Sequence, residues 1–383
     1  MMHIDINNII NFFSTYSTEF LFLLSFLLGV LFSYVIFVGK KTKDVSDKKK
    51  LESYVKGINY IIEDETDKAI EELTDTAKLD PDLIDIYISI GNLFRKKGEI
   101  NRALIIHKSL LVRPHLSKEK KLELYINMGI DYRKAGLYDR AKEYFKNALS
   151  MNPKNSTARQ LLYEVYEDSH DWEDALSWHK RFGKNSDNIL AHIYAEIGKE
   201  RLKENKTDEA KKYFEKSLKV DKKCIDSYLY LGDVYIQHGN IEKAYEYWEK
   251  SCKIEPKFAN LALNRIEDIE KLKSLSRELL IQFPNDKYIL YFCANQMFKI
   301  GERQKAISLY GKLIKMGIKP YSVLQKFTDV NKENLPKFIR TFAKDRSKNE
   351  LKYICTNCGY SSNSIFFRCQ KCRSWDKVKV EIV

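Results

Sequence analysis

Glycine and proline are scarce in this chain, which has 15 glycines and 7 prolines among 383 residues. Their scarcity disfavours β-sandwiches, whose many turns depend on both residues, and collagen-like proteins, which need glycine at every third position. Leu, Ile, Lys and Glu are plentiful instead, as is typical of helices. The composition therefore predicts a protein built mainly of α-helices.

The common signatures of catalytic sites are also missing. The sequence contains no P-loop, no G-x-G-x-x-G, no G-x-S-x-G and no H-E-x-x-H, so it lacks the local motifs that hold phosphates, dinucleotides, a nucleophilic serine or a catalytic zinc. The seven histidines are scattered along the chain, and a lone histidine on a helix more often packs or faces solvent than binds a ligand. We therefore expect a protein that is not an enzyme.

Charge of one sign does not dominate any large part of the chain. The formal net charge is +13, but 53 acidic residues are interleaved with 66 basic ones, which is typical of solvated helix faces. Of the seven cysteines, Cys224, Cys252 and Cys293 stand alone in amphipathic contexts and are predicted to be small core residues. An odd number of cysteines without a disulfide pattern indicates a reducing compartment.

One long apolar run lies near the N-terminus, where residues 20–38 contain no charged side chain. A helix needs about 20 apolar residues to cross the hydrocarbon core, so 20–38 is predicted to be a transmembrane helix. A cleaved signal peptide is the alternative, but residues 1–19 carry no Lys or Arg and no small-x-small cleavage site follows Val38. Residues 39–50 form a basic juxtamembrane linker with six lysines. By the positive-inside rule this linker lies in the cytoplasm and 1–19 form a short periplasmic segment.

The sequence from 51 to 318 repeats itself. A glycine is followed twelve positions later by alanine in five pairs: Gly57 with Ala69, Gly91 with Ala103, Gly129 with Ala141, Gly198 with Ala210, and Gly232 with Ala244. With Ala175 included, successive alanines are 34, 38, 34, 35 and 34 residues apart, and 34 is the period of the tetratricopeptide repeat. One such helical hairpin cannot bury its apolar face alone. The pattern therefore predicts an all-α tetratricopeptide-repeat solenoid over 51–318.

The pattern weakens towards the end of the array. The next alanine of the series, Ala306, comes 62 residues after Ala244, which is six short of two periods. One repeat in this interval, roughly 258–284, is therefore predicted to be degenerate. Residues 319–350 lose the pattern and contain two prolines, and we expect a helical connector there.

Repeat arrays of this kind bind peptides or proteins in a concave groove. If the repeats are equivalent, Asn92, Arg95 and Arg133 lie on first helices at positions that face the groove. We predict these three as partner-binding residues. The alternative is that the two arginines are solvated charges.

The last segment, 351–383, contains two C-x-x-C pairs, Cys355 with Cys358 and Cys369 with Cys372. Two such pairs in tandem are the ligand pattern of a tetrahedral metal site. So short a segment cannot build a stable core unaided, and we expect a bound metal to supply much of its folding free energy. Zinc is the predicted ion, and iron in a rubredoxin-like site is the alternative, because spacing does not separate the two.

Large apolar side chains accompany the four cysteines: Tyr353, Phe366, Phe367, Trp375, Val378, Val380 and Ile382. They predict short strands whose apolar side packs against the metal turns or against helices. We expect this four-cysteine module to contact the last helices of the array through Phe366, Phe367 or Trp375.

Anchor, array and cysteine module in this order resemble the lipopolysaccharide assembly protein B family. The specific matches are Gly91-Asn-Leu-Phe-Arg95, Gly136-Leu-Tyr-Asp-Arg-Ala141 and Cys369-x-x-Cys372-Arg373-x-Trp375. Family members have an N-terminal membrane anchor, cytoplasmic tetratricopeptide repeats and a C-terminal rubredoxin-like module. The resemblance covers essentially the whole chain and implies that the four cysteines hold one structural metal ion.

The same resemblance implies a non-enzymatic inner-membrane adaptor that regulates lipopolysaccharide biosynthesis in a Gram-negative bacterium. Family members bring the deacetylase that commits carbon to lipid A to the membrane-anchored AAA+ protease FtsH. They also associate with lipopolysaccharide synthesis and transport proteins. The bulk of the chain is expected in the cytoplasm behind a single membrane span, and self-association is left open.

Two other functions stay open from the residues alone. A zinc ribbon with a basic tail can bind nucleic acid, although the predicted anchor and the interleaved charge argue against it. A redox-active iron in the module would instead make it an electron-transfer protein, which visible absorbance and a reversible potential would reveal.

Overall fold

Helical hairpins build the described chain up to residue 318, and a small antiparallel sheet follows. The structure is a computed structural model, and it describes residues 22, 25–34, 51–79, 83–182, 187–318 and 351–382. The chain divides into two compact units, Met1–Ser169 and His170–Val383. This division falls inside the array that the repeat pattern predicts.

The first unit contains successive helices that pack as antiparallel neighbours. They are α1 (51–62), α2 (Thr66–Leu79), α3 (Ile84–Lys97), α4 (Ile100–Leu111), α5 (Lys118–Lys134), α6 (Tyr138–Met151) and α7 (Ser156–Asp168). The 38-residue spacing in the sequence corresponds to the turn between α4 and α5, where His115 has a positive φ of 62°. The extra residues therefore lengthen a loop and leave the helices intact.

The second unit continues the same architecture with α8 (Trp172–Phe182), α9 (Asp187–Lys203), α10 (Thr207–Val220), α11 (Ile225–Gln237), α12 (Ile241–Ile254), α13 (Ala259–Leu263), α14 (Ile269–Gln282), α15 (Lys287–Lys299) and α16 (Arg303–Lys315). Several helices begin at a side chain that caps the first turn. Asp268 and Asp286, for example, each accept hydrogen bonds from two backbone N–H groups of the helix that follows. Such caps satisfy donors that have no partner inside the helix.

The glycines of the repeat marker lie where the two helices of a hairpin touch. A Cβ atom at Gly129 would lie 2.5 Å from the Phe145 ring, and one at Gly232 would lie 2.2 Å from Nε1 of Trp248. Real Cβ atoms essentially never come so close to a neighbour. Only glycine therefore lets the two helices of each of these hairpins pack this closely. The predicted tetratricopeptide-repeat solenoid is confirmed.

The degenerate repeat is a repeat with a shortened first helix. A single 3-10 turn, Pro256–Phe258, and the five-residue α13 stand where the pattern predicts a full helix. The second helix of that repeat, α14, has its normal length of 14 residues. The missing residues therefore come from the first helix, and the prediction of degeneracy is confirmed.

The four-cysteine module is a three-stranded antiparallel sheet with metal-binding turns. Its strands are β1 (Leu351–Cys355), β2 (Ser361–Ser362) and β3 (Val378–Ile382), in the order β2-β1-β3. Tyr353 lies opposite Val380 in the β1–β3 pair, and both side chains are buried. The predicted short strands with an apolar side are confirmed.

The predicted transmembrane helix is described only in part. Residues 22 and 25–34 are helical, and the rest of 20–38 lies outside the described residues. None of the helices that the structure describes is both long enough and apolar enough to span a bilayer. The segments 1–19 and 39–50 and the predicted connector 319–350 also lie outside the described residues.

Candidate metal centre and its contact with the array

The four cysteine thiols converge on one point. Cys355 Sγ lies 3.6 Å from Cys372 Sγ, and Cys358 Sγ lies 3.6 Å from Cys369 Sγ. All four sulfur atoms lie within 4.8 Å of one another. A four-cysteine metal-binding site is therefore present.

Two equivalent turns produce this convergence. In the first, the N–H of Gly359 donates to the carbonyl of Cys355 at 2.9 Å, and in the second the N–H of Arg373 donates to the carbonyl of Cys369 at 2.9 Å. Gly359 and Arg373 both have positive φ angles, of 72° and 61°. The two C-x-x-C pairs thus fold as matching turns that face each other across the sheet.

The donor set and its dimensions suit a tetrahedral ion. Zinc–sulfur bonds of about 2.3 Å imply a tetrahedron with an edge of about 3.8 Å, and the observed sulfur distances bracket this value. An ion held there cross-links two turns of a segment too small to fold on its own hydrophobic core. The geometry is consistent with a structural metal ion and does not identify the element.

Hydrogen bonds prepare one of the thiols to be a thiolate. The Ser374 hydroxyl lies 3.3 Å from Cys372 Sγ, and the Asn357 side chain donates to that hydroxyl at 3.0 Å. Hydrogen bonds from Ser374 and Asn357 lower the pKa of Cys372 to about 5. A cysteine must lose its proton to bind a metal, so this environment favours binding.

Aromatic side chains fasten the module to the array. The Trp375 ring stacks on the His192 ring with a centroid distance of 4.9 Å. Phe367 lies 5.6 Å from the same His192 ring and 5.5 Å from the Phe258 ring. Phe258 ends the 3-10 turn that precedes the short α13, so the module contacts the array at the degenerate repeat.

A partly buried polar contact belongs to this interface. His192 Nε2 is 2.7 Å from Asp376 Oδ1, and Asn188 Nδ2 donates to Asp376 Oδ2 at 3.1 Å. The other ring nitrogen, Nδ1, faces the thiol of Cys224 at 3.8 Å. His192 is only 2% exposed, whereas the Asp376 side chain is 39% exposed, so the contact is shielded from solvent on the histidine side only.

The protonation of His192 and Asp376 is coupled. Burial opposes the imidazolium, but Cys224 and Asp376 outweigh it and raise the pKa of His192 well above its usual range. Burial also raises the pKa of Asp376, and the hydrogen bond and charge of His192 more than reverse this and lower it. Both shifts favour an imidazolium facing a carboxylate.

Two further hydrogen bonds extend the interface along the array. Tyr288 Oη donates to the carbonyl of Val380 at 2.8 Å, and Asn260 Nδ2 donates to Tyr353 Oη at 3.3 Å. Trp172 of the array also meets the Trp375 ring edge-on, at a centroid distance of 6.4 Å. We call six array residues that contact the module the docking face: Trp172, Asn188, His192, Phe258, Asn260 and Tyr288. Contact through Phe367 and Trp375 is confirmed, but it reaches back to α8 and α9 and is not restricted to the last helices.

The predicted partner-binding arginines are already engaged within the first unit. Arg95 Nη1 lies 2.7 Å from Asp131 Oδ1, with the arginine side chain 14% exposed and the aspartate fully buried. Arg133 is 8% exposed and pairs with Asp168 at 2.8 Å and Glu164 at 2.5 Å. Neither arginine is a solvated charge.

These ion pairs connect the first helices of successive repeats. Arg95 on α3 reaches Asp131 on α5, and Arg133 on α5 reaches Asp168 on α7. Asn92 accepts a hydrogen bond from Arg95. The three residues form part of one polar ladder, and their role in binding a partner stays a prediction.

Sequence reasoning missed the docking face. His192 and Asp376 are 184 residues apart, and no local motif marks either of them. As one of seven scattered histidines, His192 belongs to no sequence motif, and the sequence therefore does not predict its contact with the module. The short repeat around Phe258 was the one sequence signal that pointed to this part of the array.

Comparisons with known proteins agree with this architecture. The family model described as "Tetratricopeptide repeat" matches residues 122–155, 191–224 and 225–258. The model described as "Rubredoxin metal binding domain" matches residues 353–379 and bears the name of a zinc ribbon of lipopolysaccharide assembly protein B. The matched segments coincide with the helical hairpins and the four-cysteine module.

Curated relatives match nearly the full length. "Lipopolysaccharide assembly protein B" of Escherichia coli (strain K12) is 24% identical over 388 aligned residues, covering 93% of this chain and 97% of the relative. The protein of the same name from Haemophilus influenzae is 25% identical, with the same coverage of both chains. The resemblance inferred from the sequence is confirmed, and neither alternative function is favoured.

Solved structures with similar repeats cover about half of the chain. "Crystal structure of YrrB: a TPR protein with an unusual peptide-binding site" is 25% identical, covers 51% of this chain and 98% of its own, and has a TM-score of 0.34. "Crystal structure of MamA protein" is 19% identical, covers 56% of this chain and 95% of its own, and has a TM-score of 0.28.

Proposed function

We propose that this protein is a non-enzymatic adaptor in lipopolysaccharide assembly, anchored in the inner membrane of a Gram-negative bacterium by residues 20–38. The observation that carries the proposal is similarity over 93% of the chain to relatives named lipopolysaccharide assembly protein B. The similarity includes both the repeat array and the cysteine module, so it concerns the whole architecture.

The array supplies the binding surface of this adaptor. By the family resemblance, its partners are the deacetylase that commits carbon to lipid A, the membrane protease FtsH, and lipopolysaccharide synthesis and transport proteins. The adaptor brings the deacetylase to the protease and thereby lowers its level. Solenoids suit this role because one curved surface can hold two partners at once.

The metal ion has a structural role in this proposal, and zinc is the expected element. The ion holds the module folded, and the folded module covers the docking face. Without the ion, the 4% exposed Tyr353 and the 2% exposed Val380 would lose their fixed backbone. Metal analysis of purified full-length protein tests the element, since an iron site would be coloured and redox-active.

The decisive experiment measures the level of the deacetylase in a strain that lacks the gene. We expect the deacetylase to accumulate, wild-type protein to restore its normal level, and Cys369→Ser to fail because the metal site is lost. Lys371→Ala is the matched control, because Lys371 lies in the same turn with an exposed side chain. A deacetylase level that does not respond to deletion of the gene would refute the proposed role.

Membrane attachment and partner binding have separate tests. Deleting residues 1–38 should move the protein from the membrane fraction to the soluble fraction, and retention in the membrane would contradict a single N-terminal anchor. Replacing Asn92, Arg95 or Arg133 should weaken co-purification of partners. Arg95→Lys is the informative variant, because it keeps the charge facing Asp131 and removes the forked hydrogen bonds.

A further inference from the structure

A cleft lies among the helices of the last described hairpins. Helices α14 and α16 flank this cleft of about 350 Å³, which is at the small end of the range for ligand pockets. We call it the α14–α16 cleft. It shares no residue with the docking face or with the predicted partner-binding residues.

The floor of the α14–α16 cleft is apolar. Leu280, Met297 and Leu309 line it, together with Ile281. Ile281 is 75% exposed, although a large aliphatic side chain gains about 1.5–3 kcal/mol when it is fully buried. An apolar floor with an exposed isoleucine can receive one or two apolar side chains of a partner.

The rim of the cleft is basic. Lys273, Arg277 and Lys305 line it, and the two lysines share the carboxylate of Glu302 at 3.3 and 3.1 Å. Arg277 is exposed and makes no ion pair or hydrogen bond with any residue that the structure describes. Most other cationic side chains near it on α14 are paired, so Arg277 is available to an incoming acid.

The whole of α16 reinforces this positive rim. Its sequence, RQKAISLYGKLIK, contains four cationic residues and no acidic one. Most other second helices of the array mix both signs, as in TDEAKKYFEKSLKV of α10. The exception is α4, INRALIIHKSLL, which also has no acidic residue but carries only two residues with a permanent positive charge. A partner of opposite charge is therefore attracted to this end of the array and not to every second helix.

We propose that the α14–α16 cleft binds an acidic polypeptide segment that inserts a bulky apolar side chain between Leu280 and Leu309 and places a carboxylate against Arg277. The concave shape and the small volume favour a single anchoring side chain over a flat lipid surface. None of the described residues that line the cleft is aromatic, which disfavours the stacking that single-stranded nucleic acids require. The proposal is independent of the adaptor role in lipopolysaccharide assembly.

The test uses a displayed library of random 12-residue peptides, selected on the full-length protein in detergent. Peptides that also bind the Arg277→Glu, Ile281→Asp double variant are removed by counter-selection. We expect the remaining peptides to carry Asp or Glu beside Leu, Phe or Trp. Synthetic copies should bind the Arg277→Glu single variant at least about tenfold more weakly, and their affinity should fall with salt.

Lys212→Glu is the matched control, because Lys212 is an exposed lysine on the second helix of another repeat. It makes the same charge change and should leave peptide affinity unaltered. Both target positions are exposed, and unchanged circular dichroism of each variant verifies folding. Failure to enrich any peptide, or enrichment of peptides without acidic residues, would overturn the proposal. So would Arg277-dependent binding to phosphatidylglycerol vesicles with no peptide enriched.

Discussion

Replacing Gly232 with alanine should destabilise the second unit, although alanine is the better helix former. In a helix interior, replacing glycine with alanine stabilises the helix by about 1 kcal/mol. At this position, however, the new Cβ would lie 2.2 Å from Nε1 and 2.5 Å from Cδ1 of Trp248. The indole ring must move, and it is only 3% exposed.

Moving the Trp248 ring has two costs. Overpacking a buried site costs about 1–3 kcal/mol. Trp248 Nε1 also donates to the carbonyl of Leu229 at 3.1 Å, and losing a buried hydrogen bond costs a further ~1–3 kcal/mol. Subtracting the gain in helix propensity leaves a net destabilisation of about 1–5 kcal/mol. For a unit of this size, each kcal/mol lowers the Tm by about 2–4 °C, so the expected fall in Tm is roughly 2–20 °C.

Thermal unfolding followed by circular dichroism and tryptophan fluorescence measures this effect. Gly311→Ala is the matched control, because Gly311 lies inside α16 and a Cβ there would meet nothing within 4 Å. That variant should be as stable as the wild type or more stable by up to about 1 kcal/mol. If Gly232→Ala behaved like Gly311→Ala, close approach of the two helices would not be the reason for glycine in the repeat marker.

Three further predictions concern the ion pair, the metal site and the interface. Arg95→Ala should cost roughly 3 kcal/mol of unfolding free energy, because it removes the guanidinium from the fully buried carboxylate of Asp131, whose other oxygen lies 2.6 Å from His107 Nδ1. Denaturant unfolding measures this cost, and a value below about 1 kcal/mol would contradict the prediction. Cys369→Ser should abolish stoichiometric metal in purified protein and raise amide exchange on α13, with full metal occupancy as the contrary outcome. The contact of His192 with Asp376 should be strongest between about pH 4 and 6.5. It should weaken as the pH rises through the raised pKa of His192 and as the pH falls below the usual pKa of aspartate. Trp375 fluorescence measures this pH dependence, and a His192→Phe variant with the same pH profile would contradict the prediction.

The fold was predictable from local sequence because each repeat carries its own signal. The pairing of Gly129 with Phe145 and of Gly232 with Trp248 requires only sixteen residues of chain. The four thiols were predictable for the same reason, since each C-x-x-C pair defines one turn. The shortened α13 was visible as a deficit of six residues in the repeat spacing.

Long-range polar contacts were predictable only in part. Asp131 lies 36 residues after Arg95 and Asp168 lies 35 residues after Arg133, so an acid about one repeat further on was a usable signal for the ladder. No comparable period connects His192 with Asp376. Their contact depends on where the four-cysteine module packs against the array, which neither helix propensity nor repeat spacing determines.

The shortened repeat explains why the metal centre and the array act as one unit of structure. Phe367 of the module packs against Phe258, which directly precedes the shortened α13, so the module supplies apolar contacts to the array at the degenerate repeat. The module in turn cannot stay folded without its metal, because its own core is too small. Loss of the metal therefore exposes apolar surface on the array as well as on the module. A partner that requires the module to cover the docking face binds the array only while the module is folded. Because the module needs its metal to fold, the affinity of such a partner must depend on metal occupancy, and by linkage the partner must in turn strengthen metal binding.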